Sequence, residues 1–413
     1  MLVTRDTPTD PTGRSFLSYR RSRAAEAARL IQAQHDVGIP TWQDIEDLEE
    51  GPTESQIREV LGNPNIANAV LWITPEVADS AMIQRVEAPI IMQRHQLRDA
   101  FFVMAVAGGG LGYDAAAAVL AGSLRGEDLR DWNLRKVSED PIDQAAAASL
   151  VRHVLRRRIK TIHTSLPEGE PLRVTLNTRD RGAPAPGVAL AIDWSQRCNG
   201  RPDNPEVWAD HLIPALRTVG QVVCEEISGR RPVEVSGKCS ISAAVAFGTV
   251  FLRERCQPVC WTQPGAGAWS IRSLPKPVNI EVEVRAANVG AQDLAVLVSI
   301  ATDVRPAFNA GRQTLPEFRA IISVHPSDGA ERLALASAGE AVAIALRVQE
   351  EIRAVRREYP EIGTVHLFLA VPVGLGLLIG QLLNTLGDVQ TYEHLAVGGI
   401  GRYVPAALLR PSD

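Results

Sequence analysis

The sequence predicts an α/β protein built on parallel sheets, and three observations carry the prediction. Short apolar runs alternate with helix-period segments through the first ~160 residues, in βαβαβαβ order. A second α/β rhythm starts after Leu172 and runs through two similar cycles of strand, polar loop, helix and strand. Between them, the basic helix end VRHVLRRRIK (Val151 to Lys160) gives way to the Pro/Gly/Glu-rich HTSLPEGEPL, a composition that marks a domain boundary. The expected organisation is a disordered lead-in over residues 1–11, a first domain over 12–160 and a linker over 161–171. A second domain follows over 172–413, made of two fused Rossmann-type halves, about 172–275 and 276–413.

The elements follow in order. RSFLSY is a short strand, and SRAAEAARLIQAQHDVG is a helix stopped by Gly38. IPTW is a second strand, followed by the polar loop QDIEDLEEGP. Thr53 and Gln56 have capping-box spacing and open the helix ESQIREVL. ANAVLWI is a buried strand; Thr74 and Pro75 then suit an N-cap and a first helical position. The next helix, DSAMIQRVEAP, is expected to close at Pro89, and FFVMAVA is a further strand. The arginines of VRHVLRRRIK read as a solvated helix face. In the second domain VALAIDWS, PVEVSG, DLAVLVSIATDV, TVHLFLAV and DVQTYEHL read as strands. NPEVWADHLIPALRTVG, ISAAVAFGTVFLRER, ERLALASAGEAVAIALRVQEEIRAVRREY and VGLGLLIGQLLNTLG read as helices.

Composition removes several classes of function. A net charge of −5 supplies no basic field for nucleic acid. The five cysteines (Cys198, Cys224, Cys239, Cys256, Cys260) form no CxxC pair and read as reduced thiols of a cytoplasmic chain, with no metal site. No signal peptide is expected in the polar start MLVTRDTPTDPTGR. The apolar stretch Phe101 to Gly122 is broken by three central glycines and Asp114, whereas a spanning helix needs about 20 continuous apolar residues.

The segment Asp79 to Pro89 poses a chemical question. At helical spacing Ser80, Gln84 and Glu87 share one face, while Met82, Ile83 and Val86 form an apolar one. Taken alone, the polar stripe is a solvated face.

The ordered set FLSYRRS (Phe16 to Ser22), GIPTWQD (Gly38 to Asp44), DIEDLEEG (Asp44 to Gly51) and NAVLWITPEVADS (Asn68 to Ser80) resembles a TIR domain over roughly residues 12–160. The resemblance implies a flavodoxin-like parallel sheet. The segments VHLFLAVPVGLGLLIGQLLN (Val365 to Asn384), VQTYEH (Val389 to His394) and VLVSIATDV (Val296 to Val304) resemble a SAVED domain, a fused pair of CARF-like halves. A TIR domain followed by a SAVED domain is similar to effectors of CBASS antiviral defence. In that family a cyclic oligonucleotide binds SAVED, drives self-assembly and switches on TIR cleavage of NAD⁺ to nicotinamide and ADP-ribose.

Cleaving the nicotinamide–ribose bond builds positive charge on the ribose, which a nearby carboxylate stabilises. NAD-cleaving TIR domains supply it as the last member of an SxxxE spacing, which from Ser80 falls on Gln84. Three readings stay open: a glutamate exchanged for Gln84 that leaves the enzyme impaired, Glu87 as the active carboxylate, or a non-catalytic adaptor. The resemblance also assigns Phe16, Tyr19, Arg20, Trp42, Asp44 and Ser80 to substrate binding, with NAD⁺ as substrate rather than resident cofactor.

In the second domain a cyclic oligonucleotide needs helix starts for its phosphates, plates for its bases and a few cations. The candidates are Lys238 and Ser240 (in the segment Gly237 to Ser240), Ser299, Thr302 and Asp303, Pro372, Val373, Gly374 and Gly376, with Trp194, Trp261 and Trp269 as platforms. The expected partners are a cyclic oligonucleotide, a trinucleotide by the resemblance, NAD⁺, and copies of the same chain in a head-to-tail filament; DNA and membrane are not expected. A rival motif, GxGxxxG at Gly374, Gly376 and Gly380 with Glu393 ending the next strand, approaches the dinucleotide fingerprint of dehydrogenases. Its third glycine falls one place late, and Ile379 stands where the fingerprint needs glycine.

Overall fold

The computed structural model describes residues 7–42, 53–124, 126–132, 134–179, 185–198, 204–227, 229, 231–252, 258–330, 335–397 and 400–410. The chain forms two compact units, residues 1–168 with 184–192 and residues 169–183 with 193–413.

In the first unit β1 (Arg14–Ser18), β2 (Thr41–Trp42), β3 (Ile66–Ile73), β4 (Phe102–Ala107) and β5 (Arg135–Lys136) pair in the order β2-β1-β3-β4-β5. Every pairing is parallel. The order reverses between β1 and β3, the crevice at which open parallel sheets bind ligands. All eight residues of β3 are buried, as a central parallel strand covered on both faces requires. Its one polar member, Asn68, donates to the Ser15 hydroxyl of β1 at 2.8 Å. The helices are α1 (Ala24–Asp36), α2 (Thr53–Gly62), α3 (Ala88–Gln96), α4 (Tyr113–Leu120) and α5 (Gln144–Ser165). The apolar stretch considered for a membrane thus divides into β4, a glycine loop and α4. Among the described residues no helix is long and apolar enough to cross a membrane.

Three expectations are corrected here. Helix α5 continues to Ser165, so the expected linker of residues 161–171 begins as helix. Within the basic run, Arg158 is not solvated. It is fully buried and donates to the carbonyls of Ala189, Gly13 and Thr12 at 2.9, 2.7 and 2.6 Å. Pro89 does not end the helix that precedes it. Residues Ile83–Glu87 form a π-turn that leads straight into α3, with the Ala88 N–H bonded to the Ile83 carbonyl. Proline in an α-helix loses a hydrogen bond and clashes with the carbonyl four residues back. The wider winding before Pro89 takes up that misfit.

The second unit holds two parallel cores. In the first, β6 (Leu172–Asn177), β8 (Val233–Ser236) and β9 (Val259–Gln263) pair in parallel and β10 (Gly267–Ser270) adds an antiparallel edge; β7 (Leu190–Asp193), between β6 and β8 in the chain, falls in the first unit as far as Ile192. In the second, β11 (Ile280–Ala286), β12 (Asp293–Ser299), β13 (Phe318–Pro326), β14 (Thr364–Ala370), β15 (Asp388–Val397) and β16 (Ile400–Leu409) follow the order β11-β13-β12-β14-β15-β16. The four inner strands are parallel and the two edges antiparallel. Helices α6 (Ile213–Ile227) and α7 (Ile241–Val250) belong to the first core, and α8 (Arg305–Ala310), α9 (Ala338–Glu358) and α10 (Val373–Gly380) to the second.

Helices α7 and α10 join the two cores. A methyl on Gly248 would stand 2.3 Å from the Leu377 carbonyl oxygen, and one on Gly380 would stand 2.1 Å from that of Val245. The late third glycine of the GxGxxxG run is therefore a helix-crossing residue: only a hydrogen side chain lets these backbones meet.

Candidate functional site

The second unit gathers most of its candidates at the C-terminal ends of its parallel strands. Ser299 ends β12 opposite Ala370 of β14, and Pro372 follows as the N-cap of α10. No side chain caps that helix. Its first turn therefore offers N–H groups to an anion, a ready site for phosphate. Gly374 is buried, and a methyl there would press on Trp269 at 2.8 Å and Trp261 at 3.2 Å. Both indoles are buried, and neither N–H has a hydrogen-bond partner among the described residues.

The start of α7 is different. Ser240 caps it, its hydroxyl accepting from the Ala243 N–H at 3.2 Å, while its own N–H donates to the Thr178 hydroxyl at 2.8 Å. The Ser242 N–H donates to the Glu393 carboxylate at 2.9 Å. The Gly237 to Ser240 segment is thus already engaged, against the expectation that its helix start lies open to phosphate. Burial pushes the Glu393 carboxyl up, against the pull of Ser242 and Ser240 and, more weakly, the Arg179 charge. Burial also pushes the Cys239 thiol up, so it packs as a neutral group.

The other candidates divide by exposure. Lys238 is exposed on the turn before α7, its N–H bonded to the Asn177 side chain at 2.9 Å. Thr302 is exposed and donates to the Ala301 carbonyl at 2.7 Å. Ser299 and Asp303 build their own turn: Ser299 accepts from the Val304 N–H at 3.1 Å, and Asp303 holds Arg305 at 3.0 Å. The Arg305 guanidinium keeps the Asp303 carboxyl below its usual range. Trp194 is fully buried, edge-on to Trp208, and is core rather than a base platform. Sequence reasoning missed Glu393 as a partner of α7 because the two groups are 151 residues apart and carry no local signal of contact.

In the first unit the polar stripe of Ser80, Gln84 and Glu87 separates. Ser80 is buried and accepts from the Ile83 N–H at 3.4 Å. The Gln84 amide donates to the carbonyls of Val77 and Val119 at 3.1 and 2.8 Å and accepts from the Ser123 hydroxyl. Glu87 points elsewhere, accepting from the Ser18 hydroxyl of β1 at 2.6 Å. It is buried, so a substrate does not reach it as an open carboxylate. Phe16 and Trp42 stack on one another at 5.2 Å, and both are buried members of the sheet core rather than substrate platforms. Such a pair is worth about 0.5–1.5 kcal/mol beyond its burial. Tyr19 and Arg20 lie half-buried just beyond β1, at the end that faces the sheet's reversal point. Asp44 and the acidic loop after it lie outside the described residues.

Residues 215–409 match the family model for SAVED, the SMODS-associated and fused to various effectors sensor domain. The C-terminal part of the chain carries a SAVED domain. No curated protein matches the sequence. Among solved structures, the Cap4 SAVED/CARF-domain receptor of Acinetobacter baumannii with the cyclic trinucleotide 2'3'3'-cAAA aligns at 13% identity. It covers 94% of this chain and 98% of its own, with a TM-score of 0.47. The same receptor with 3'3'3'-cAAA gives 13% identity, coverage of 97% and 81%, and a TM-score of 0.46. The Cap4 receptor of Moraxella osloensis gives 12%, 95%, 100% and 0.44.

Proposed function

We propose that the chain is a cyclic-oligonucleotide-gated effector, with a SAVED sensor in the second unit and a TIR-like, flavodoxin-like catalytic domain in the first. The SAVED match over residues 215–409 carries the sensing part of this reading. The uncapped α10 start supports it physically, as a place for phosphate beside two strand ends. The ligand is a cyclic oligonucleotide of the trinucleotide class, and its binding drives head-to-tail assembly, a heterologous contact that grows into filaments.

The catalytic part is argued from the strand order β2-β1-β3-β4-β5 and from the SxxxE spacing that falls on Gln84, in the turn between β3 and β4. The reaction is NAD⁺ cleavage, with position 84 as the seat of the ribose-stabilising carboxylate. The burial of Glu87 disfavours it as that carboxylate. With Gln84 in place the step lacks its charge, and the chain is an impaired NAD⁺ glycohydrolase. The test is Gln84→Glu assayed for nicotinamide release with and without cyclic triadenylate. Release that depends on the activator supports the reading; an inert Gln84→Glu chain that still assembles with activator overturns the catalytic half.

A second reading, a non-catalytic adaptor, is favoured by one observation. Both hydrogen bonds donated by the Gln84 side-chain NH₂ run to backbone carbonyls, which accept from an amide and repel a carboxylate.

A further inference from the structure

Two helix starts meet at the candidate nucleotide site, and they are not equivalent. That of α10 has no side-chain cap. That of α7 holds a carboxylate: Glu393, delivered by β15 of the other half, accepts from the Ser242 N–H at 2.9 Å. The N–H of Ala243 is taken by Ser240. A helix start attracts anions through its open N–H groups and its dipole, so Glu393 sits where a phosphate would be drawn. On this same turn the Ser242 hydroxyl, 1% exposed, faces the Glu393 carboxyl but makes no close hydrogen bond among the described residues. A buried hydroxyl is ordinarily satisfied, and a phosphate oxygen would satisfy it together with the Ser242 N–H. Two exposed cations, Lys238 and Arg179, precede the turn or lie near the carboxylate.

We propose that the Glu393 carboxyl occupies the α7 start in the free protein and competes there with a phosphate of the incoming ligand. This rests on the reading of the second unit as a cyclic-oligonucleotide sensor. The α10 start takes a phosphate without competition. The α7 start takes one only when Glu393 yields, so the side chain sets the affinity threshold and links ligand binding to movement of β15.

The test compares the full-length chain with Glu393→Gln, which keeps the shape and an acceptor for the Ser242 N–H but removes the charge. Two probes are titrated by calorimetry, cyclic triadenylate and inorganic tripolyphosphate. The expected result is tighter binding of both by Glu393→Gln, by about fivefold or more. If the parent chain binds cyclic triadenylate and Glu393→Gln binds it no tighter, the inference is overturned while the sensor reading stands. If neither chain binds the cyclic nucleotide but Glu393→Gln gains tripolyphosphate affinity, the inference stands and the sensor reading falls. Gain for neither probe overturns the inference. Ser242→Ala provides a second measurement, should Glu393→Gln fail to fold: the lost hydroxyl should weaken binding of both probes, and unchanged affinity overturns the inference.

Discussion

The Ser18 hydroxyl donates to the Glu87 carboxylate at 2.6 Å, both groups buried, and ties the end of β1 to the π-turn before α3. A hydrogen bond to a buried carboxylate is short and strong, and Ser18→Ala deprives Glu87 of one of its donors. Ser18→Ala should therefore cost about 1–3 kcal/mol of stability in urea unfolding. Glu87→Gln should cost less than Glu87→Ala, because the amide still accepts from Ser18. A Glu87→Ala chain as stable as the parent would refute the structural role given to Glu87.

Arg158 should behave as a core residue. Its guanidinium serves three carbonyls in a dry site, and burial holds its pKa down to about 10. Arg158→Met removes the donor and strands those carbonyls, at an expected cost of about 1–3 kcal/mol for each left unsatisfied. Arg157→Met, next along the same run, should change the unfolding midpoint little. Equal effects of the two substitutions would contradict the burial of Arg158.

The α7–α10 crossing predicts intolerance of a single methyl. Gly380→Ala places a carbon 2.1 Å from the Val245 oxygen, inside any permitted contact. The helices must separate, at an expected cost of about 1–3 kcal/mol or more. Differential scanning calorimetry reads the loss. Gly122→Ala, where no atom lies within 4 Å of the added carbon, serves as the tolerant control.

Glu393 predicts a pH dependence of definite sign. Its folded carboxyl titrates above the ordinary value of 4.5, because burial penalises the charge. The native state then holds the proton more tightly than the unfolded chain. The stabilisation is fully present below 4.5 and is lost as pH rises through the folded value. Glu393→Gln should flatten this decline in urea melts as pH rises above 4.5. A parent chain whose stability rises through that window, with the rise absent from Glu393→Gln, would reverse the assigned sign.

Much of the strand and helix pattern was legible because parallel strands buried on both faces appear as unbroken apolar runs, as in ANAVLWI and TVHLFLAV. Strands β11 and β16 were not read: both are edge strands, β11 paired with β13 far along the chain and β16 with its chain neighbour β15, and IEVEVRA alternates charge with apolar residues on an exposed edge. The candidate site was legible only in part. Pro372 to Gly376 follow a strand directly and could be read locally. The fate of Ser240 depends on Glu393, and that of Phe16 on Trp42, and neither contact leaves a mark in local spacing. Arg158 was lost inside a run of like residues, since periodicity does not reveal which of several adjacent arginines turns inward.

The π-turn at Ile83–Glu87 has a geometric consequence beyond accommodating Pro89. One surplus residue in a single turn is a phase slip: side chains that regular winding would stack into a stripe are dealt out in two directions. Gln84 is dealt towards the end of α4 and Glu87 towards the sheet. A short segment thereby ties one polar group to the sheet and the other, set a fraction of a turn away, to the backbone of Val77 and Val119.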